Sequence, residues 1–407
     1  MWADDLHEPL AVASSPAIVG GGSNGAVFSL LSTHRPHEAG PTKQDHVGDI
    51  IMTVLKGITW DDPRGWGPLS ATLEQYRRTE AGQDFDIHWD VQALEGFESH
   101  SLSDLAESYD IINLDHPHIG DAVEQNCLLP LHEVDDVFIG PCLQSYTMSG
   151  HIWALPIDAA CLVSATRTLP RLKSYRECLE QAARGVRLAA SLRGVHALMA
   201  YLTLLSQAGH PIGPDRETGL PDMQHLAAAA ADLRRLYRAM APESLSWNPL
   251  EALAKLQNGD VDYLIFTFAY VSFQASGIRF CLNPSHDGSP SSGAVLGGTG
   301  LGVSRFCQSP EAGRDYAHYL AGAGIQCGLW PTHGGQPAHR DAWKSLAKRS
   351  SFYSSMTPAM ERSYLRPRFA GWNELQSRAG VSINTWLQRD TPETDLAGRL
   401  TELWNAK

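Results

Sequence analysis

The sequence predicts an α/β protein folded into two lobes, and three observations carry that expectation. The chain has 407 residues, more than one ordinary hydrophobic core accommodates, so two domains are expected. From Met52 onward strand-like and helix-like segments alternate, the pattern that lays helices on both faces of a mostly parallel sheet. A proline interrupts an apolar run near the middle, and glycines cluster after residue 290. Both features mark places where the chain can pass between lobes.

Met52–Thr59 reads as the first strand. A helix is expected over about Leu69–Thr79, opened by Pro68, because proline is tolerated in a first helical turn. The alternation of Phe85–Val91 suits a half-buried strand. Ser103 is a candidate N-cap for a short helix through Glu107. Tyr109–Leu114 reads as a buried parallel strand. Pro156 should end one strand, with a second over Ala160–Thr166. Four helices are then expected, at Leu172–Arg184, Val195–Gln207, Leu226–Met240 and Pro249–Asn258, before a strand at Tyr263–Phe266. The region from about 351 reads as helical and is expected to pack across both lobes.

These segments give residues 1–50 as a disordered extension. The first lobe is 51–157 plus about 295–350, and the second is 158–294 plus about 351–400. Hinges fall near 156–160 and 285–300.

Composition excludes several function classes. Hydrophobic residues make up 43 % and charged residues 19 %, a globular balance. No run approaches the roughly 18 apolar residues of a membrane span. The net charge of −13 argues against nucleic acid as a partner, since phosphate binding needs a basic surface. The seven cysteines are scattered, odd in number and without a CxxC pair, so buried free thiols are expected rather than disulfides or structural zinc. The first residues are acidic (Asp4, Asp5, Glu8) where a secretory signal would be basic. Met52 is an alternative start that leads directly into the first strand.

An ordered series of segments resembles the type II solute-binding proteins of ABC importers, especially sugar-binding members. It comprises Lys56-Gly57-Ile58-Thr59-Trp60, the strand Tyr109 to Asp115, the crossover Gly150 to Asp158, and the return strand Gly297 to Ser304. Together they span about Met52 to Arg378. The resemblance implies a Venus-flytrap fold, each lobe a mixed sheet flanked by helices. It also implies a non-catalytic monomer in the periplasm that captures a small polar solute and delivers it to a membrane permease, with no cofactor or metal. The absent export signal and the free thiols motivate a cytosolic ligand sensor on the same fold as the alternative.

Ligands of open α/β sheets bind beyond the carboxyl ends of strands, which selects a few loops. In the first, Trp60 can cover a sugar ring while Asp62 and Arg64 take hydroxyls or a carboxylate, or the loop is simply polar structure. In the second, Asp115, His116 and His118 are ligand donors or caps of the next helix. An enzyme using Asp115, His116 and His118 as acid, base or metal ligands is the rival reading. Asp158 either contacts ligand or fixes the hinge. Tyr270 either stacks on ligand or belongs to a strand core. His333 and Gln336 sit in a glycine-rich loop that is either a ligand contact or a turn. The glycine series near 297–302 lacks the G-x-G-x-x-G order of a dinucleotide site, and no G-x-x-x-x-G-K-[ST] is present.

Overall fold

The computed structural model describes residues 52–135, 137–214, 216–289 and 293–406. The expected N-terminal extension and the choice between Met1 and Met52 lie outside those residues, apart from Met52 itself. Ten strands are present among them: β1 (Thr53–Trp60), β2 (Phe85–Gln92), β3 (Ile111–Leu114), β4 (Thr147–Met148), β5 (His151–Ile152), β6 (Leu155–Thr166), β7 (Leu188–Ala190), β8 (Tyr263–Phe268), β9 (Arg279–Cys281) and β10 (Leu296–Val303). Seven run in the order β2-β1-β3-β10-β6-β8-β7, with β9 beside β6. β1 is parallel to β2 and β3, while β10 runs antiparallel to β3 and β6. Beyond β6 the sheet continues through antiparallel β8, to which β7 is parallel.

β6 is the strand on which the two ends of the sheet meet. Its twelve residues are all buried; Leu155–Cys161 pair with β10, and the remainder with β8 and β9. The expected break at Pro156 does not occur. The register of β10 shifts between Thr299 and Gly300, so Asp158 faces Thr299 while Pro156 faces Gly300. A bulge of this kind accommodates a residue that has no N–H to give to the ladder.

The two faces of the sheet are built differently. On one, a continuous core takes alternate residues of β6 (Leu155, Ile157, Ala159, Cys161, Val163, Ala165) together with Leu55, Ile87, Tyr316, Trp330 and Trp343. The opposite face carries two separate clusters. One gathers Ile58, Ile112, Leu114 and Tyr146, and the other Leu162, Ile265, Leu198, Trp372 and Trp404. The buried core is thus continuous on one face and divided on the other.

Helix boundaries follow the caps. The first helix is Pro63–Tyr76 rather than 69–79. Asp62 is its N-cap, accepting from Arg64 N at 2.8 Å, and Pro63 fills the first position while Pro68 lies inside. Ser101, not Ser103, caps Leu102–Ser108. Val195–Gln207 and Pro249–Asn258 fall where the sequence puts them, the latter closed by an Asn248–Glu251 capping box. The other two shift by up to three residues at their ends, to Tyr175–Ala183 and Met223–Tyr237. At the C-terminus, Trp372–Leu387 packs on Val195–Gln207 and also touches the turn His116–His118, so it meets both sides of the sheet's divided face.

None of the seven cysteines is in a disulfide, and burial pushes thiols up: Cys127 to about 11, and Cys161, Cys178 and Cys307 to about 12. Among the described residues no helix is long and apolar enough to cross a membrane.

Candidate functional site

Strand ends and two glycines make a cavity where the sheet's face divides. β1 delivers Trp60 at its carboxyl end, β3 delivers Asp115, and the chain leaving β8 delivers Phe268 and Tyr270. Across them β6 presents Asp158 and Ala160, and β10 presents Gly297, Gly298 and Thr299; Leu94 and Phe97 close one side. The space holds about 460 Å³, part of it open to solvent. Gly297 has no Cβ because one would lie 2.6 Å from Phe268, so the glycine lets that ring approach the strand. At Gly298 the backbone has φ +113° and an added Cβ would meet Asp158 O at 2.3 Å.

The polar groups divide into those already engaged and those with capacity left. Arg64 and Asp158 form a bidentate pair: Arg64 Nε donates to Asp158 Oδ2 at 2.9 Å, and Nη2 donates to Oδ1. Their side chains are 3 % and 4 % exposed. Arg64 Nη1 also donates to Ala269 O at 3.1 Å, and the guanidinium lies 4.7 Å from the Tyr270 ring centroid. Burial opposes the charge on Arg64, but the Asp158 carboxylate outweighs it and holds the guanidinium above its ordinary pKa. Both charges are thus spent on each other and on the junction between lobes.

Asp115 is different. Its Oδ2 accepts from Arg366 Nη2 at 2.9 Å and its Oδ1 from His116 N at 2.8 Å, yet its side chain keeps 18 % exposure and lines the cavity. Burial alone would raise its pKa; Arg366 and His116 reverse this and hold the carboxyl far below the usual range. The His116 ring nitrogen Nδ1 also lies 2.9 Å from Oδ1, and an ionised carboxylate has about four acceptor sites, so these three neighbours leave room for one ligand hydroxyl. Behind it a polar chain runs from Arg366 to Gln376 (3.1 Å), then to Asn373 (2.8 Å) and His118 Nδ1 (3.4 Å). Thr299 lines the cavity as well, and its buried Oγ1 has no hydrogen-bond partner.

Of the residues singled out from sequence, Trp60, Arg64, Asp115, Asp158 and Tyr270 come together around this space. Asp62 is occupied as a helix cap, with its pKa raised by burial. His116 is fully buried, and burial followed by the nearby Arg366 lowers it to about 4, so its ring is neutral at neutral pH. His118 is 5 % exposed and lowered for the same first reason. His333 is exposed outside the cavity, its Nδ1 3.0 Å from Leu329 O. Gln336 is fully buried at the junction, accepting from Val271 N at 2.7 Å and donating to Ala159 O at 3.0 Å. The sequence reading did not single out Phe97, Phe268, Thr299 or Arg366 for the site. Only the glycine series beside Thr299 offered a local signal. Among the described residues no group of three or more His, Cys, Asp or Glu is placed to hold a metal ion.

The sheet order, the strand shared between two halves and the cavity at their junction define a two-lobed fold, that of the solute-binding proteins of ABC transporters. The chain is similar in structure to the maltose-bound MalE3 of T. maritima, at 17 % identity and TM-score 0.73, over 86 % of this chain and 98 % of that one. It is likewise similar to the GacH receptor of Streptomyces glaucescens, at 14 % identity and TM-score 0.73, over 86 % and 97 %. A solute-binding protein of Thermotoga lettingae bound with α-D-tagatose aligns at 14 % identity and TM-score 0.72, over 86 % and 100 %. No protein-family model matches the sequence, and no curated protein matches it.

Proposed function

We propose that this protein is the substrate-binding component of an ABC importer, holding a small sugar between its lobes without bond chemistry. The observation that carries the reading is the composition of the cavity. Aromatic rings from Trp60, Phe97, Phe268 and Tyr270 surround one open carboxylate, Asp115, and one unpartnered hydroxyl, Thr299. Rings cover the apolar faces of a sugar, while a carboxylate and a hydroxyl fix its OH groups. The similar structures include proteins bound with maltose and with α-D-tagatose, which sets the chemistry to try first. The permease is the partner this role requires, a monomer suffices for it, and the periplasm is the compartment in which it is performed. The reading includes lobe closure about hinges near 156–160 and 285–300, a motion the divided face of the sheet supports; residues 290–292 lie outside the described residues.

The deciding experiment is a titration of maltose, maltotriose, D-tagatose and related sugars, read by calorimetry and small-angle scattering. The reading expects saturable binding with a smaller radius of gyration, and a higher unfolding midpoint through linkage. A panel that changes none of these overturns it.

A second reading is favoured by one observation. The seven cysteines form no disulfide, which suits a reducing compartment, where the same fold serves as a cytosolic ligand sensor. Fractionating cells and sequencing the mature N-terminus separates the two. The enzyme alternative has less support, because Asp115 is held by Arg366 and both histidines lie outside the cavity lining.

A further inference from the structure

A second pocket lies at the far end of β6 from Asp158, between β9, the loop after β6 and the start of the helix Ser351–Glu361. It holds about 660 Å³, part of it open to solvent, and its apolar floor is made by Ile278, Phe280 and Phe352. Its polar rim is Thr166, Arg171, Gln274, Arg279, Ser351 and Ser355. Two arginines therefore line the pocket and no carboxylate does, on a chain whose net charge is −13.

The arginines have donors to spare. Arg171 Nε donates to Leu282 O at 3.3 Å, while its Nη2 is buried without a partner. Arg279 gives Nη2 to Leu169 O at 3.0 Å. Both fasten their guanidinium groups to backbone carbonyls, which fixes position without neutralising charge. A guanidinium N–H with no acceptor costs free energy, which an anion recovers once a small turn of the Arg171 side chain brings Nη2 to the pocket. The adjoining helix agrees in sign: no side chain caps its start at Ser350, so its first N–H groups add positive potential there.

We propose that this pocket is a second binding site, for a small oxyanion presenting a phosphate or carboxylate group to Arg171 and Arg279. The hydroxyls of Ser351 and Ser355 complete the polar rim, and the apolar floor accepts a short hydrocarbon portion of the same molecule. The site stands apart from the cavity between the lobes and does not rest on what that cavity binds.

The test titrates the full chain with inorganic phosphate and, separately, with acetate, at neutral pH and constant ionic strength set by chloride, using calorimetry. Saturable binding of phosphate alone identifies a phosphoryl ligand, of acetate alone a carboxyl ligand, and of both the shared chemistry. Arg279→Ala, at an exposed position, weakens binding by about tenfold or more, the worth of one charge-assisted hydrogen bond. Arg171→Gln does the same, with its unfolding midpoint measured alongside to exclude misfolding. Absence of saturable binding by either anion, or binding that survives Arg279→Ala unchanged, overturns the proposal.

Discussion

Arg64 opens the first helix and Asp158 sits on the strand shared by both lobes, and the two form a bidentate ion pair with both side chains at most 4 % exposed. Tyr270 covers the guanidinium and Gln336 N donates to the carboxylate at 3.2 Å. The pair is therefore held by two further segments, at Ala269–Tyr270 and at Gln336, both far from it in sequence.

Breaking it from one side leaves a buried charge without its partner. Asp158→Ala is expected to lower stability by about 3–5 kcal/mol in urea unfolding, and Arg64→Met by a similar amount. The double variant Arg64→Met/Asp158→Leu recovers much of the loss, because no charge then remains buried. Additive losses would show that the pair is not coupled in this way.

Thr299 gives a prediction whose two readouts move in opposite senses. Its hydroxyl is buried without a partner, so Thr299→Val removes an unsatisfied group and leaves unliganded stability unchanged or higher, by up to about 1 kcal/mol. Solute affinity falls about tenfold if the hydroxyl serves the ligand. Equal affinity in the two proteins would remove Thr299 from the site.

Gly298 tests the close approach of β10 to β6. With φ at +113° and Asp158 O 2.3 Å from an ideal Cβ, Gly298→Ala is expected to cost at least about 2 kcal/mol. A thermal or urea midpoint equal to that of the parent chain would contradict the observed strand geometry.

Stability should also fall as pH drops from about 6.5 toward 4. His116 is lowered to about 4 in the fold, so over that window the unfolded chain binds the extra proton and the folded state loses its advantage. The buried His118, also lowered, adds a loss of the same sign. Asp115, held low by Arg366, continues the decline below 3.8. The groups facing His116 are Asp115, Arg366 and Arg368. His116→Asn is expected to flatten the slope between pH 6.5 and 4, by on the order of 3 kcal/mol, in urea unfolding at stepped pH.

Much of the fold was legible because its signals are local. Val195–Gln207 and Pro249–Asn258 carry helical periodicity and, for the latter, a capping box, and both fall where expected. The first helix was misplaced because two prolines, Pro63 and Pro68, can each occupy a first turn, and only the Asp62 cap distinguishes them. Pro156 reads as a break because its lost hydrogen bond is visible in the sequence, while the strand β10 against which β6 bulges there lies some 140 residues away.

By itself the sequence determined the alternation of strands and helices, the crossover, the return strand and the loops that reach the cavity, all of which depend on neighbours a few residues apart. The tertiary structure decided which of those loops' polar groups remain open. Asp62 caps a helix, Arg64 and Asp158 neutralise each other, and His116 is buried uncharged. Asp115 and Thr299 keep capacity for a ligand. The physical reason is that a donor or acceptor is spent by whatever the fold brings within about 3 Å of it, and for Asp158 that is Arg64, for Asp115 Arg366. Such distances are set by packing between segments far apart in the chain, on which the local pattern of residues is silent.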